Sequence, residues 1–444
     1  VERLLAVARR AGAQAVHPGY GFLAENADFA AACAAAGLVF VGPRPETMRA
    51  LGRKTDARQT MRAAGVPTVP GTLEPVPDQA AARAAADEVG YPVALKAVAG
   101  GGGRGMRRVD RAEDLAEALR AAQNEAQGAF GDAAIYVERL VERPRHVEVQ
   151  IMADAYGNVV ALGERDCSVQ RRYQKVIEES PAPGLSAATR TGLHEAAVRA
   201  ARAAGYLNAG TVEFLVAPDG AYYFLEVNAR LQVEHPVTEL VTGFDLVQAQ
   251  LLVAAGEPLP WRQEDVVLRG AALECRIYAE DALAGFVPST GRLEAVRTPA
   301  GPGLRLDAGY EAGDTVPLEY DSLLAKLCAW GADRDQALAR MRRALAECAY
   351  LGVRTTIGFH RYTLAHPEFA AGEHDTGFVA RHWPPPDGDD VPVDAAARLA
   401  VAAALAHYHA RRAPRPDDDS RDTWAAAARQ TPLRQMERSL WTGR

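Results

Sequence analysis

Residues 224–234 read F-L-E-V-N-A-R-L-Q-V-E, and this alternation constrains the chain more than any other segment. A strand repeats every second residue. Glu226, Asn228, Arg230, Gln232 and Glu234 therefore share one face, and Leu225, Val227, Ala229, Leu231 and Val233 share the other. The apolar face is core. The polar face carries carboxylates, amides and a guanidinium, a set that suits a metal and an oxyanion better than water. The preceding run Thr211–Val216 is apolar except for Glu213, and Pro218-Asp219-Gly220 signals a turn. With 218–221 as the loop, 217 faces 222, 216 faces 223, and Glu213 faces Glu226. Directly opposed Cβ atoms lie roughly 5 Å apart, and two carboxylates that close repel unless one takes up a proton. A hard divalent cation between them removes the conflict. With Asn228 adjacent, these oxygen donors fit Mg²⁺ (or Mn²⁺) shared with a nucleotide's phosphates. The competing reading is that Arg230 or another cation simply pairs with the two acids.

A chain of 444 residues allows two or three domains, or one enzyme built in lobes. Its net charge of −7 and the lack of any basic run argue against nucleic acid as a partner. No apolar stretch is long enough to span a membrane, and the opening V-E-R-L-L-A-V-A-R-R does not read as a secretory signal. The five cysteines (Cys33, Cys167, Cys275, Cys328, Cys348) are scattered without a C-x-x-C, which favours free thiols in a reducing compartment and no zinc site. The expected location is the bacterial cytoplasm, ahead of a mitochondrial matrix. Lysine is scarce: only Lys54, Lys96, Lys175 and Lys326 stand among 50 basic side chains. Where Arg is used so freely, a retained Lys suggests a compact ammonium beside a phosphate.

The N-terminal segment reads as a helix over 1–12, a strand at 14–17, a glycine-bearing loop, an Ala-rich helix through Ala36 and a strand at 39–41. This βαβ pattern predicts a parallel sheet. It lacks the earlier strands of a doubly wound sheet, so an upstream piece is expected to be missing. A helix over 46–64 carries Lys54. Residues 78–140 read as a small α/β unit: helix, strand Val93–Lys96, glycine loop, helix 111–127 and strand 134–138. Strands dominate to about 330 and helices follow. Pro384-Pro-Pro-Asp-Gly-Asp-Asp390 marks a boundary before an Ala-rich helix at 394–412.

Ala99-Gly-Gly-Gly-Gly-Arg-Gly-Met106 follows the strand that ends in Lys96. Consecutive glycines let backbone N–H groups close over phosphates and let the loop move. No Gly-Lys-Ser/Thr follows, so this is not a Walker loop, and no acid is placed behind it to bind a ribose. A mobile phosphate lid is the better reading, with a plain flexible loop as the alternative. His146, Glu148 and Gln150 share a strand face; a lone His there is more often structural. The dense run Glu164–Lys175 is either part of a site or a solvated loop. Arg276 sits on the polar side of a strand, where an ion pair with Glu274 or Glu280 is the bland alternative.

Together these pieces resemble the biotin carboxylase family of ATP-grasp enzymes. The matching segments include HPGYGFLAEN (17–26), LKAVAGGGGRGMR (95–107), PRHVEVQ (144–150), ERDCSVQRRYQKVIEESPAP (164–183), GTVEFL (210–215), FLEVNARLQVEHPVTE (224–239) and ECRIYAED (274–281). The resemblance runs to about residue 380. It implies a multi-lobed α/β and α+β chain. A truncated N-terminal parallel-sheet domain (1–50) would precede an ATP-grasp domain (51–265, mobile lid about 70–140), a C-terminal biotin carboxylase domain (266–383) and a linker with a helical tail (384–444).

The resemblance also implies roles. Lys54 and Lys96 would hold ATP phosphates beneath a lid containing Gly102 and Gly103. Glu138, Arg139, Leu140 and Val141 would line the adenine pocket, and His146 would face the ribose. Glu213, Glu226 and Asn228 would carry Mg²⁺. Lys175, Arg230, Gln232, Val233 (through its backbone) and Glu234 would surround bicarbonate, with Glu234 as general base. Arg276 would meet the ureido group of biotin, with Tyr20 and Gly21 nearby. Tyr173 stands where the family often has His near the nucleotide, which puts that contact in doubt. The implied reaction is carboxylation of biotin by ATP and bicarbonate through carboxyphosphate, the first half-reaction of an acyl-CoA carboxylase. No Met-Lys-Met biotinylation site is present, so biotin would arrive on a carrier protein. A carboxyltransferase and a second copy of the full-length chain are the other expected partners. The rival readings are another carboxyphosphate-forming ATP-grasp ligase and a truncated, non-catalytic nucleotide-binding scaffold.

Overall fold

The computed structural model of the protein describes residues 1–98, 106–385, 402–405 and 407. Residues 1–395 form one compact unit and 396–444 a second, and every predicted site residue belongs to the first.

Helix α1 (Glu2–Arg10) leads to strand β1 (Ala15–Val16), helix α2 (Ala27–Ala35) and strand β2 (Val39–Phe40). The two strands pair in parallel, as the βαβ pattern predicts. Asn26 starts α2 by accepting a hydrogen bond from the Phe29 N–H at 2.7 Å. The helix expected over 46–64 is two: α3 (Pro45–Gly52) and α4 (Lys54–Ala63). Arg53, at φ −91° and ψ 106°, is extended and breaks the ladder between them.

The small unit holds α5 (Gln79–Val89), β3 (Val93–Ala97), β4 (Met106–Val109), α6 (Leu115–Phe130) and β5 (Ile135–Arg139). Its sheet is antiparallel in the order β4-β3-β5. Strand β4 is not legible in the sequence because Met-Arg-Arg-Val has neither alternation nor a run of β-branched residues. Val93, Leu95, Ile135 and Val137 pack on Leu115, Leu119 and Ala126 of α6, all buried.

The larger body begins with β6 (Arg145–Ala153), β7 (Val159–Arg171), β8 (Gln174–Ser180), α7 (Ala187–Ala203), β9 (Asn208–Val216), β10 (Tyr222–Asn228), α8 (His235–Thr242) and α9 (Leu246–Ala254). Then come β11 (Ala271–Tyr278), β12 (Glu280–Asp281), β13 (Val287–Pro288), β14 (Gly291–Arg292), β15 (Ala295–Arg297), β16 (Leu304–Ala308), β17 (Thr315–Val316) and β18 (Leu323–Gly331). The chain closes with α10 (Arg334–Glu347), β19 (Ala349–Leu351), α11 (Ile357–Ala365), α12 (Pro367–Ala370) and α13 (Phe378–His382). One eight-stranded sheet runs β10-β9-β6-β7-β8-β11-β18-β16. Strand β11 joins β8 on one side to β18 on the other, so this sheet crosses the expected boundary at 265/266.

The segment 164–175 is not a solvated loop. Glu164, Arg165, Asp166, Ser168 and Gln170 are buried within β7. The chain turns at Arg172 and Tyr173, both at positive φ (49° and 67°), and re-enters the sheet as β8. The alternating segment is also a strand over less of its length than expected. Strand β10 ends at Asn228, and residues 229–234 run irregularly into α8.

Candidate active site

The β9–β10 hairpin brings Glu226 opposite Glu213, as predicted, by a different route. The turn is one residue shorter than the sequence suggests, pairing Tyr222 with Val216 and Phe224 with Phe214. A bulge between Phe224 and Glu226 then restores the expected register through Asn228↔Thr211. Phe214 and Phe224 stay in the core, while Glu213, Glu226 and Asn228 line a cavity of about 1090 Å³.

At the heart of this cavity lies the Lys175 ammonium. It is 2.7 Å from Glu213 Oε1, 2.7 Å from Glu234 Oε1 and 3.0 Å from Gln232 Oε1, and it also bonds Glu148 Oε2. Glu148 and Glu234 are fully buried and Glu213 nearly so. Burial opposes charge on Lys175, but Glu148, Glu213 and Glu234 hold its pKa well above the ordinary lysine range. Burial likewise opposes ionisation of Glu213, yet Lys175 and His146 keep it well below the usual carboxylate range. Glu234 is lowered too, by Lys175, Arg276 and Arg165 against the cost of burial.

Arg276 does not take the partners its sequence neighbours suggest. Its Nε donates to Glu178 Oε1 at 2.6 Å and its Nη2 to Glu234 Oε2 at 2.9 Å, while Glu280 bonds Ser322. Arg230 Nε donates to Glu25 Oε2 at 3.0 Å, tying the HPGYGFLAEN segment to the site. Val233 turns its carbonyl to Lys326 Nζ at 3.0 Å. His146 Nε2 lies 3.0 Å from Glu213 Oε2. Lys96 bonds Glu138 at 2.5 Å on the opposite wall. Arg139, Leu140, Val141, Tyr173 and Tyr20 also line the cavity, and Lys326 sits 5.6 Å from the Tyr20 ring centre. Gly21 is not among its lining residues. Lys54 opens α4, and only its backbone is described; Gly102 and Gly103 lie outside the described residues.

Three participants escape the sequence reading. Arg58 is buried, lines the cavity and reaches Glu138 at 2.6 Å. It follows Lys54 by four residues, one turn on the same helix face, and that spacing could have flagged it. Glu148, which the sequence marks only by its strand face, shares the Lys175 hub. Arg165, fully buried, donates to Glu148 at 2.5 Å, Gln150 at 2.7 Å and Thr238 at 2.9 Å.

The donor set fits a hard divalent cation. Two carboxylates oppose each other on paired strands, an amide stands beside them, and Lys175 and His146 already balance Glu213 where positive charge is needed. The cation-pairing alternative therefore describes part of the arrangement, through Lys175 and His146 rather than Arg230.

Residues 1–48, 53–262 and 274–381 match, in order, the biotin carboxylase N-terminal domain, the ATP-binding domain of the carbamoyl-phosphate synthase L chain and the biotin carboxylase C-terminal domain. The chain is 50% identical over 379 residues to "Biotin carboxylase" of Nostoc sp., covering 85% of each chain. It is 48% identical over 380 residues to "Biotin carboxylase 1" of Bacillus subtilis, covering 85% of this chain and 84% of that one. Among solved structures it resembles the biotin carboxylase domain dimer of Hydrogenobacter thermophilus 2-oxoglutarate carboxylase, in complex with MgADP, ADP and bicarbonate. That match has a TM-score of 0.81 and 44% identity over 86% of this chain and 84% of that one.

Proposed function

Because this chain belongs to the biotin carboxylase family of ATP-grasp ligases, we propose that it carboxylates biotin on a separate carrier protein, with its own residues dividing the work as follows. The Lys175 hub carries this reading: one ammonium gathers Glu148, Glu213, Gln232 and Glu234 inside a cavity that also holds the hairpin carboxylates and Arg276.

Lys54, Lys96 and the 99–105 loop hold the ATP phosphates, and Glu138 through Val141 take the adenine. Lys96 leaves Glu138 for the phosphates when nucleotide enters. Glu213, Glu226 and Asn228 hold Mg²⁺, which when bound neutralises charge on the nucleotide. Lys175, Arg230, Gln232 and the Val233 backbone hold bicarbonate. Bicarbonate is a poor electrophile, so it is first phosphorylated: Glu234 takes its proton while an oxygen attacks the γ-phosphorus and ADP departs. Three cations suppress the basicity of Glu234 in the ligand-free cavity. It becomes an effective base as Lys175 and Arg276 turn to the incoming anions, and Lys175 then offsets charge on the transferring phosphoryl group. Carboxyphosphate yields CO₂ and phosphate in a closed site, which spares the intermediate from water. Arg276 faces the oxygen of the deprotonated biotin ureido group, where a permanently charged fork is suited to an enolate-like anion.

A carrier bearing biotin, a carboxyltransferase and a second copy of the chain are the proposed partners; the Hydrogenobacter relative, described as a dimer, supports the last. The proposed setting is a bacterial cytoplasm, supported by five buried free thiols. The test is ATP hydrolysis that requires bicarbonate and rises with free biotin. Glu234→Gln and Arg276→Ala should suppress biotin carboxylation more than nucleotide binding. Wild-type carboxylation by either variant would contradict its role.

A further inference from the structure

Behind Arg276 lies a pair of acids that the proposed reaction does not use. Glu178 on β8 and Glu274 on β11 are directly opposed across antiparallel strands, and both are fully buried. Opposed residues share a face with Cβ atoms roughly 5 Å apart. Glu178 Oε1 accepts from Arg276, and Glu274 Oε2 accepts from the Cys328 thiol at 3.3 Å. The other oxygens, Glu178 Oε2 and Glu274 Oε1, are buried and have no hydrogen-bond partner. Two orphaned acceptors on directly opposed acids are what a single shared proton would satisfy, since a carboxylic acid donates where a carboxylate cannot.

The surrounding charges require the same thing. From β11 the pair meets Arg276 and Tyr278. From β18 it meets Lys326 and the neutral Cys328 thiol. From the segment entering α8 it meets Glu234, and from the β7–β8 hairpin Lys175 and Cys167. Lys175 is engaged by Glu148, Glu213 and Glu234, and Lys326 by Asp307 and the Val233 carbonyl. With both acids ionised, Glu178, Glu274 and Glu234 would crowd the Arg276 guanidinium while the two lysines that face the pair stay engaged elsewhere. A buried charge without a partner is costly, and a group in that position keeps its proton instead.

We propose that Glu178 and Glu274 share one proton and act as a positioning pair behind Arg276. A singly charged pair anchors the guanidinium at Glu178 Oε1, 2.6 Å from both Nε and Nη2, while Nη2 still reaches Glu234 at 2.9 Å and can turn to the biotin oxygen. A doubly charged pair draws it backwards and weakens it as an anion partner. Burial, reinforced by Glu234 on both acids and by Glu274 on Glu178, outweighs Arg276, Lys175, Lys326 and the Cys328 thiol and pushes Glu178 up to about 8 and Glu274 to about 7.

The inference rests on the proposed reaction for its functional consequence, but the proton itself is observable without turnover. Infrared difference spectra of the full chain with ¹³C-labelled glutamate should show a buried protonated carboxyl stretch at about pH 6 that vanishes by about pH 10. Glu274→Gln should abolish that band, because the amide donates to Glu178 Oε2 at every pH. In biotin-dependent turnover, the wild-type rate should fall several-fold between about pH 7 and pH 9. Glu274→Gln, normalised to its own maximum, should lose that fall while the KM for ATP stays put. A wild-type spectrum lacking the band at about pH 6, or a Glu274→Gln profile with the wild-type decline, overturns the proposal. If the wild-type chain shows no biotin-dependent turnover, the proposed reaction fails and the infrared band still decides the shared proton.

Discussion

At the residue scale the site is a buried ionic lattice whose parts oppose one another in pH. Glu213 and Glu234 are lowered by cations, so the stability they confer is present above the ordinary carboxylate pKa and is lost as pH falls below it. Glu178 and Glu274 are raised by burial, to about 8 and about 7. What they confer is full below the ordinary carboxylate range and is lost as pH rises through those values. Thermal unfolding midpoints should therefore peak under mildly acidic conditions and decline on both sides, with Glu274→Gln flattening the alkaline decline. A midpoint that climbs steadily from neutral to about pH 9 would contradict this. Arg165 is fully buried and spans four polar partners. Arg165→Met leaves Glu148 without that partner and should cost about 3–5 kcal/mol in urea unfolding. Little of this lattice was legible. Glu164–Lys175 is polar at nearly every position, which reads as loop until the partners that neutralise it are known. Those partners lie as far away as Thr238, and no local pattern announces them.

At the element scale the hairpin was legible because its chemistry and its periodicity agree. The bulge at Leu225 was not, since a shorter turn and an extra strand residue cancel in the register that matters. The end of β10 at Asn228 was hidden because alternation continues in sequence after the ladder stops. Gly71 shows how a linker can position the cavity wall at Glu138. It bridges to Glu138, and a Cβ there would lie 2.3 Å from the Val137 carbonyl and 2.8 Å from Glu138 Cα. Gly71→Ala should push β5 away, displace Glu138 from Lys96 and Arg58, and destabilise by about 1–3 kcal/mol. A raised KM for ATP alongside a lowered unfolding midpoint is the expected result. Unaltered values for both would show that the linker is not held against β5.

At the scale of the whole molecule, the eight-stranded sheet joins the acid-bearing hairpin at β10 to the C-terminal strands at β18 and β16, with Lys175, Glu178 and Arg276 on its central strands. The N-terminal segment reaches this sheet through Glu25, which holds Arg230 and the Ala229 N–H. Glu25→Ala should free Arg230 and raise the KM for bicarbonate several-fold more than that for ATP; equal effects on both would point to general loosening. The family and the order of its motifs were readable because its long motif segments stand intact in the sequence. The continuity of the sheet across residue 265 was not, because strand pairing between β8 and β11 is a long-range choice. The most direct measurement is transfer of labelled bicarbonate to free biotin by the full chain with ATP and Mg²⁺. Label should be fixed only when all components are present, and Glu234→Gln should lower the rate by about 10²–10⁴-fold. ATP hydrolysis without fixed label, or a Glu234→Gln chain that fixes it at the wild-type rate, would contradict the account.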